Sequence, residues 1–372
     1  MDEFMKKLGR IDELDLLRGY FILIIIVDHL QRWPSPYTYI TGEGRLWVSA
    51  AEGFFIISGL LIGYLRGRKQ REVPLKELTH KLWARAAKLY IWAVGVTFFV
   101  VAMSVLLPAN PDTLPRVPDA EQTASLSTYI WNVITLNFTS DLIYFLRLYA
   151  IMLFATPSFL WLLRKGRWYI ALLISVGLYA LSFLFETPEG AMQWQVLFFV
   201  PALFGYKLET IIHWLGEHPK TKNLLLYGSI VVTVITMVLS YFWVLGWNYV
   251  EAPNSSFSRE AYVATRNWLD LWFTKSPLAI GRVALSFVWF AGLVGIFHLL
   301  LPYIKRWIGW LLHTFGTQSL SAYCLQALLM VFAQAYLPFS DSQIINALIT
   351  TLALVVFWAL LKVPFVKRVL PR

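Results

Sequence analysis

Apolar residues run along this chain in blocks of about 20, long enough to cross the roughly 30 Å core of a bilayer as helices. The blocks centre near Leu23, Ile57, Gly95, Met152, Ser175, Phe199, Val234, Val288, Leu325 and Leu354. No polar stretch between them is long enough for a second globular unit. The pattern predicts an all-α, polytopic membrane helix bundle of about ten transmembrane helices, with residues 1–372 forming a single membrane-embedded domain.

Polar punctuation orients the bundle. Basic residues gather at alternate gaps: Lys6, Lys7 and Arg10; the segment 66–88; Arg164, Lys165 and Arg167; Lys207, Lys220 and Lys222; Lys305 and Arg306; Lys362, Lys367, Arg368 and Arg372. The opposite gaps hold only Arg32, Arg45, Arg116, Arg259, Arg266 and Lys275. Short basic loops stay in the cytoplasm, so both termini are expected there. The first apolar block runs into Asp28 and His29 rather than a small-residue cleavage site, which reads as a retained helix and not a signal peptide.

Composition agrees: 58% of the 372 residues are hydrophobic and only 15% charged. The net charge of +10 could suit nucleic acid, but its distribution is a topology signal, so the expected partner is the lipid bilayer and no nucleic acid. A lone cysteine, Cys324, excludes an intrachain disulfide and argues against a thiol acyl-enzyme.

Chemistry enters with the first block. Arg18 and His29 lie eleven positions apart, almost three helical turns, so both project from one face about 16 Å apart along the axis. Ionisable groups inside a membrane segment mark functional sites by default, and histidine is the side chain best suited to move protons near neutral pH. Glu52, near the outer end of the second block, is the expected partner that orients the His29 imidazole. Asp28 competes for that role, but neighbouring residues on a helix point about 100° apart.

Arg147 and Arg282 sit inside later blocks, where a guanidinium fork could hold a carboxylate or phosphate or else a buried carboxylate such as Glu52 or Asp141. Glycines at 59 and 63 form a GxxxG, read as helix packing. Trp194 and Gln195 open the sixth block. Trp247, Tyr249, Trp268 and Trp272 crowd the loop 246–277; such rings anchor at interfaces or stack on sugars. The 108–127 loop, rich in proline and acids, reads as a connector. No HExxH, P-loop, GxSxG or metal-ligand cluster is present, so no metal is expected.

The R-x10-H spacing of Arg18 and His29 resembles the signature of the bacterial acyltransferase-three membrane superfamily. Within it the chain is similar to the OpgC-type family of osmoregulated periplasmic glucan succinyltransferases. The similar segments are Leu14 to Gly19, Asp28-His29-Leu30, Ala50 to Phe54 with Ser58-Gly59, Tyr149 to Leu153, Trp194-Gln195 with Phe198, the run ending at Arg282, and Gly316 to Ser321. They recur in the family's order over nearly the whole chain. Ser49 stands where the family often has an aspartate.

The resemblance implies an O-acyltransferase of the bacterial inner membrane. Acyl-CoA (succinyl-CoA or acetyl-CoA) would be the co-substrate and an extracytoplasmic glycan hydroxyl the acceptor, with no bound cofactor. His29 would be the general base, with Glu52 and Asp28 beside it. Arg18, Arg147, Arg282, Tyr149, Trp194 and Gln195 would bind substrate. The rival readings are a proton-coupled transporter, an O-acetyltransferase of another envelope polysaccharide, and a non-catalytic glycan-binding subunit.

Overall fold

Periodic apolar segments become helices at every predicted centre. The computed structural model describes residues 12–107, 125–184, 190–252, 255 and 257–371. Lys6, Lys7, Arg10, Arg116, Arg372 and most of the 108–127 loop lie outside the described residues. Among the described residues all regular structure is helical, as expected. The main helices are α1 (Asp12–Leu30), α2 (Ala50–Leu61), α3 (Leu75–Leu106), α4 (Tyr144–Arg164), α5 (Trp168–Leu181) and α6 (Val196–Tyr206). They continue with α7 (Pro219–Leu245), α8 (Arg259–Phe273), α9 (Ile280–Leu299), α10 (Gly309–Thr317), α11 (Ser319–Tyr336) and α12 (Gln343–Lys362).

The expected count of ten spans is matched in part by length and composition. Among the described residues seven helices are long and apolar enough to cross a membrane, or eight if the pair Ala191–Tyr206 and Leu208–Glu217, bent by 63°, is one span. Two predicted spans, α1 and α5, lie outside this apolar set for physical reasons. α1 carries Asp12, Glu13, Asp15, Arg18 and Asp28, charge that a helix buried at the centre of a bundle can hold away from lipid, and α5 has only 14 residues. α7 shows the contrary case: its mean hydropathy is 2.0, yet only 11% of its apolar window is buried. Apolar side chains such as Val231 and Val238 point outward. A helix so exposed and so apolar is stable in lipid, and the protein is a multi-pass membrane protein.

α1 is the central element, packed against α2, α9, α10 and α11. Glycines permit the closest crossings. A methyl group on Gly19 would overlap the Leu312 carbonyl of α10, and one on Gly59 or Gly63 would overlap the Phe198 or Ala202 carbonyl of α6. The GxxxG is therefore a packing surface.

Just beyond α1, Arg32 is buried and locks the helix end over α11. It donates to the carbonyls of Leu30 (2.7 Å), Ala333 (2.9 Å) and Leu337 (2.9 Å) and to Gln334 Oε1 (2.7 Å). Gln334 Nε2 in turn donates to the His29 carbonyl at 2.9 Å. Arg32 is thus a structural clamp, a role that its place in a loop did not reveal.

Candidate active site

The clamp fixes the backbone of His29, and α11 fixes its ring. Nδ1 of His29 lies 3.0 Å from Gln326 Oε1. The opposite end of that amide, Nε2, donates to the Leu142 carbonyl at 3.0 Å. A carbonyl oxygen can only accept, so the NH2 group must face Leu142 and the amide oxygen must face His29. Nδ1 then carries the hydrogen it donates, and Nε2 is left with a free lone pair. Gln326 is fully buried, while His29 and Asp28 keep accessible surface.

Glu52 does not take the expected place beside His29. Its Oε1 accepts from Arg282 Nε at 2.6 Å. Its Oε2 accepts from the Ser49 amide at 2.9 Å and from Ser49 Oγ at 2.5 Å. These bonds close a capping box at the start of α2, because a glutamate three residues after a serine N-cap satisfies the free amide there. The carboxylate is saturated by these partners. Arg282 also donates to the carbonyls of Leu46 (3.3 Å) and Phe273 (3.1 Å). Of the two expectations for Arg282, the geometry is that of a buried pair with Glu52. Asp28 is hydrogen-bonded to Thr41.

Arg147 donates to the Leu136 carbonyl (2.5 Å) and to Thr139 Oγ1 (2.9 Å) and lies under the Tyr144 ring. It thereby secures the approach to α4. Gln195 turns to α5, accepting from Ser175 Oγ at 2.7 Å and donating to the Ser175 carbonyl at 2.6 Å. Trp194 is buried, with its ring 5.3 Å from that of Phe55.

A residue passed over as a loop charge stands in the site. Lys275 keeps accessible surface, and its ammonium lies 6.0 Å from the centre of the Trp194 ring. It is within electrostatic reach of Asp28, His29, Glu52 and Arg282. Its loop is pinned on both sides. Gln193 Oε1 accepts from the Leu278 amide at 2.8 Å, Tyr179 donates to the Leu278 carbonyl at 2.8 Å, and Arg282 holds Phe273. Sequence reading missed Gln326 as well, although two glutamines inside one apolar block, 326 and 334, are a signal that buried polar groups have partners to meet.

At the other end of α1, Arg18 lines a cavity of about 390 Å³ with Arg85, Lys367 and the Thr317 to Ser321 run. The buried Nε atoms of both arginines have no hydrogen-bond partner. Tyr149 sits under Arg85 at 6.0 Å, so it belongs with Arg18 and not with His29. Phe145 lies between the two ends, against Phe54, Phe55, Tyr149 and Tyr323. A basic, polar pocket at one end of α1 and a histidine with one free nitrogen at the other thus lie along the same helix. Among the described residues no group of three acidic, histidine or cysteine side chains could hold a metal ion.

The family model described as OpgC protein matches residues 10–365. No curated protein matches the chain.

Proposed function

The chain belongs to the OpgC protein family, a membership that implies a membrane acyltransferase, and on that footing we propose that it moves an acyl group, succinyl by family resemblance, from acyl-CoA to a glycan hydroxyl. The donor binds on the cytoplasmic face of the bacterial inner membrane and the acceptor on the far face. The charge bias between alternate loops supports this sidedness.

His29 Nε2 takes the proton of the sugar hydroxyl as its oxygen attacks the thioester carbonyl. The new C–O ester bond forms, the C–S bond breaks, and the CoA thiolate leaves with the proton returned from the imidazolium. The observation that carries this reading is the His29–Gln326–Leu142 chain, which leaves the lone pair on one nitrogen only. Arg18, Arg85 and Lys367 offer cations to the phosphates of CoA. The pantetheine arm then covers the distance of about 16 Å along α1 from Arg18 to His29.

Mass spectrometry of envelope glycans from cells with the protein, without it, and with His29→Ala tests the reading. An acyl ester present only with the intact protein is expected. The same ester in all three would overturn it.

A further inference from the structure

Lys275 is a cation of the site that the proposed reaction does not use. Glu52 has its direct counter-charge in Arg282 at 2.6 Å, and Lys275 acts on Glu52 and Asp28 only through space. Among the described residues Lys275 forms neither an ion pair nor a hydrogen bond, unlike the residues for which such a contact exists. Its ammonium has the Trp194 face beside it and His29 within electrostatic reach. The ammonium keeps accessible surface and has no direct anionic partner, so an incoming carboxylate would meet a cation free to pair with it.

The location is also rigid. Phe273 is held by Arg282 and Leu278 by Gln193 and Tyr179, and the Ala279 amide bonds back to the Thr274 carbonyl at 3.1 Å. Lys275 is thus presented from a short loop tied at both ends, and its loss would not undo those ties. The loop backbone is therefore already ordered, so binding need not pay to fix it.

We infer that Lys275 binds a carboxylate at the far end of the acyl group and so selects a dicarboxylic acyl donor. This rests on the acyl-CoA reading above. It moves the recognition of the carboxylate from Arg282 and Arg147, whose guanidinium groups are engaged with Glu52, Leu136 and Thr139, to the lysine of the outer loop.

The test uses the purified full chain and two donors of equal chain length, succinyl-CoA and butyryl-CoA, which differ by a carboxylate in place of a methyl. Their affinities are measured by titration calorimetry on the unaltered protein, Lys275→Met and Lys275→Arg. At least a tenfold preference for succinyl-CoA is expected in the unaltered protein and in Lys275→Arg. In Lys275→Met it should fall to within about twofold, through weaker succinyl-CoA binding at unchanged butyryl-CoA affinity. A preference kept intact in Lys275→Met would overturn the role of Lys275 alone. Binding of neither thioester by the unaltered protein would overturn the donor reading and this inference together.

Discussion

The side-chain oxygen of Gln326 sits 3.0 Å from Nδ1 of His29, 297 positions away along the sequence. The contact makes α11 as much a part of the site as α1. An amide is a neutral orienter: it fixes the tautomer without adding the negative charge that a carboxylate would bring against the imidazolium.

Gln326→Leu should therefore lower kcat for acyl transfer about 10- to 100-fold and leave KM for acyl-CoA nearly unchanged, since the lost bond orients the base and does not touch the donor. Gln326→Glu keeps an acceptor for Nδ1 and should retain more activity than the leucine variant. A leucine variant with full kcat would remove Gln326 from the mechanism. A large rise in KM at constant kcat would place it in donor binding instead.

His29→Gln should reduce turnover about 10²- to 10⁴-fold, the usual contribution of a positioned general base. Folding should survive, because the contact that locks the end of α1 uses the His29 backbone carbonyl and not its ring. The check is turnover measured beside thermal unfolding in detergent. A fully active, well-folded His29→Gln protein would end the general-base assignment.

Glu52→Gln should act chiefly on stability. It leaves the buried guanidinium of Arg282 without its counter-charge, which costs about 3–5 kcal/mol for a broken buried pair. A lowered unfolding temperature is expected for the single variant, with part of the loss recovered when Arg282→Met is added, because the stranded charge is then gone. Unchanged stability with a large loss of rate would return Glu52 to a catalytic role.

The sequence carried the helical class, the centres of the apolar blocks and the Arg18–His29 face, because each depends on local periodicity. It could not rank Glu52 against Gln326 as the partner of His29. Glu52 lies near in sequence and is charged, but its local serine and a remote arginine saturate both oxygens. Gln326 is uncharged and distant, and only the crossing of α11 over α1 brings it to the ring. Arg32 and Lys275 read alike as loop cations; tertiary contacts buried the first and left the second without an ion pair. Length and composition alone leave α1 and α5 outside the count, α1 because a buried central helix can carry charge and α5 because its helix is short.

Sidedness can be read directly, since Cys324 is buried and gives little background to an impermeant maleimide. A cysteine at exposed Glu72 should react only from the cytoplasmic face, and one at exposed Tyr249 only from the opposite face. The reverse labelling would exchange the donor and acceptor sides.

The basic pocket supplies the last test. Arg85 and Arg18 border the same cavity, each with a buried Nε lacking a partner, an arrangement that an incoming phosphate would complete. Removing one charge-assisted bond costs about 1.5–3 kcal/mol, or about 10- to 100-fold in affinity. Arg85→Ala should raise KM for acyl-CoA by that factor at nearly constant kcat, because Arg85 lies at the end of the bundle away from His29. The corresponding acyl-pantetheine lacks the nucleotide phosphates, so its KM should be almost the same for the variant and the unaltered protein. Equal penalties on the two donors would mean that Arg85 shapes the cavity and does not read phosphate. No change with either donor would move the CoA site elsewhere in the bundle.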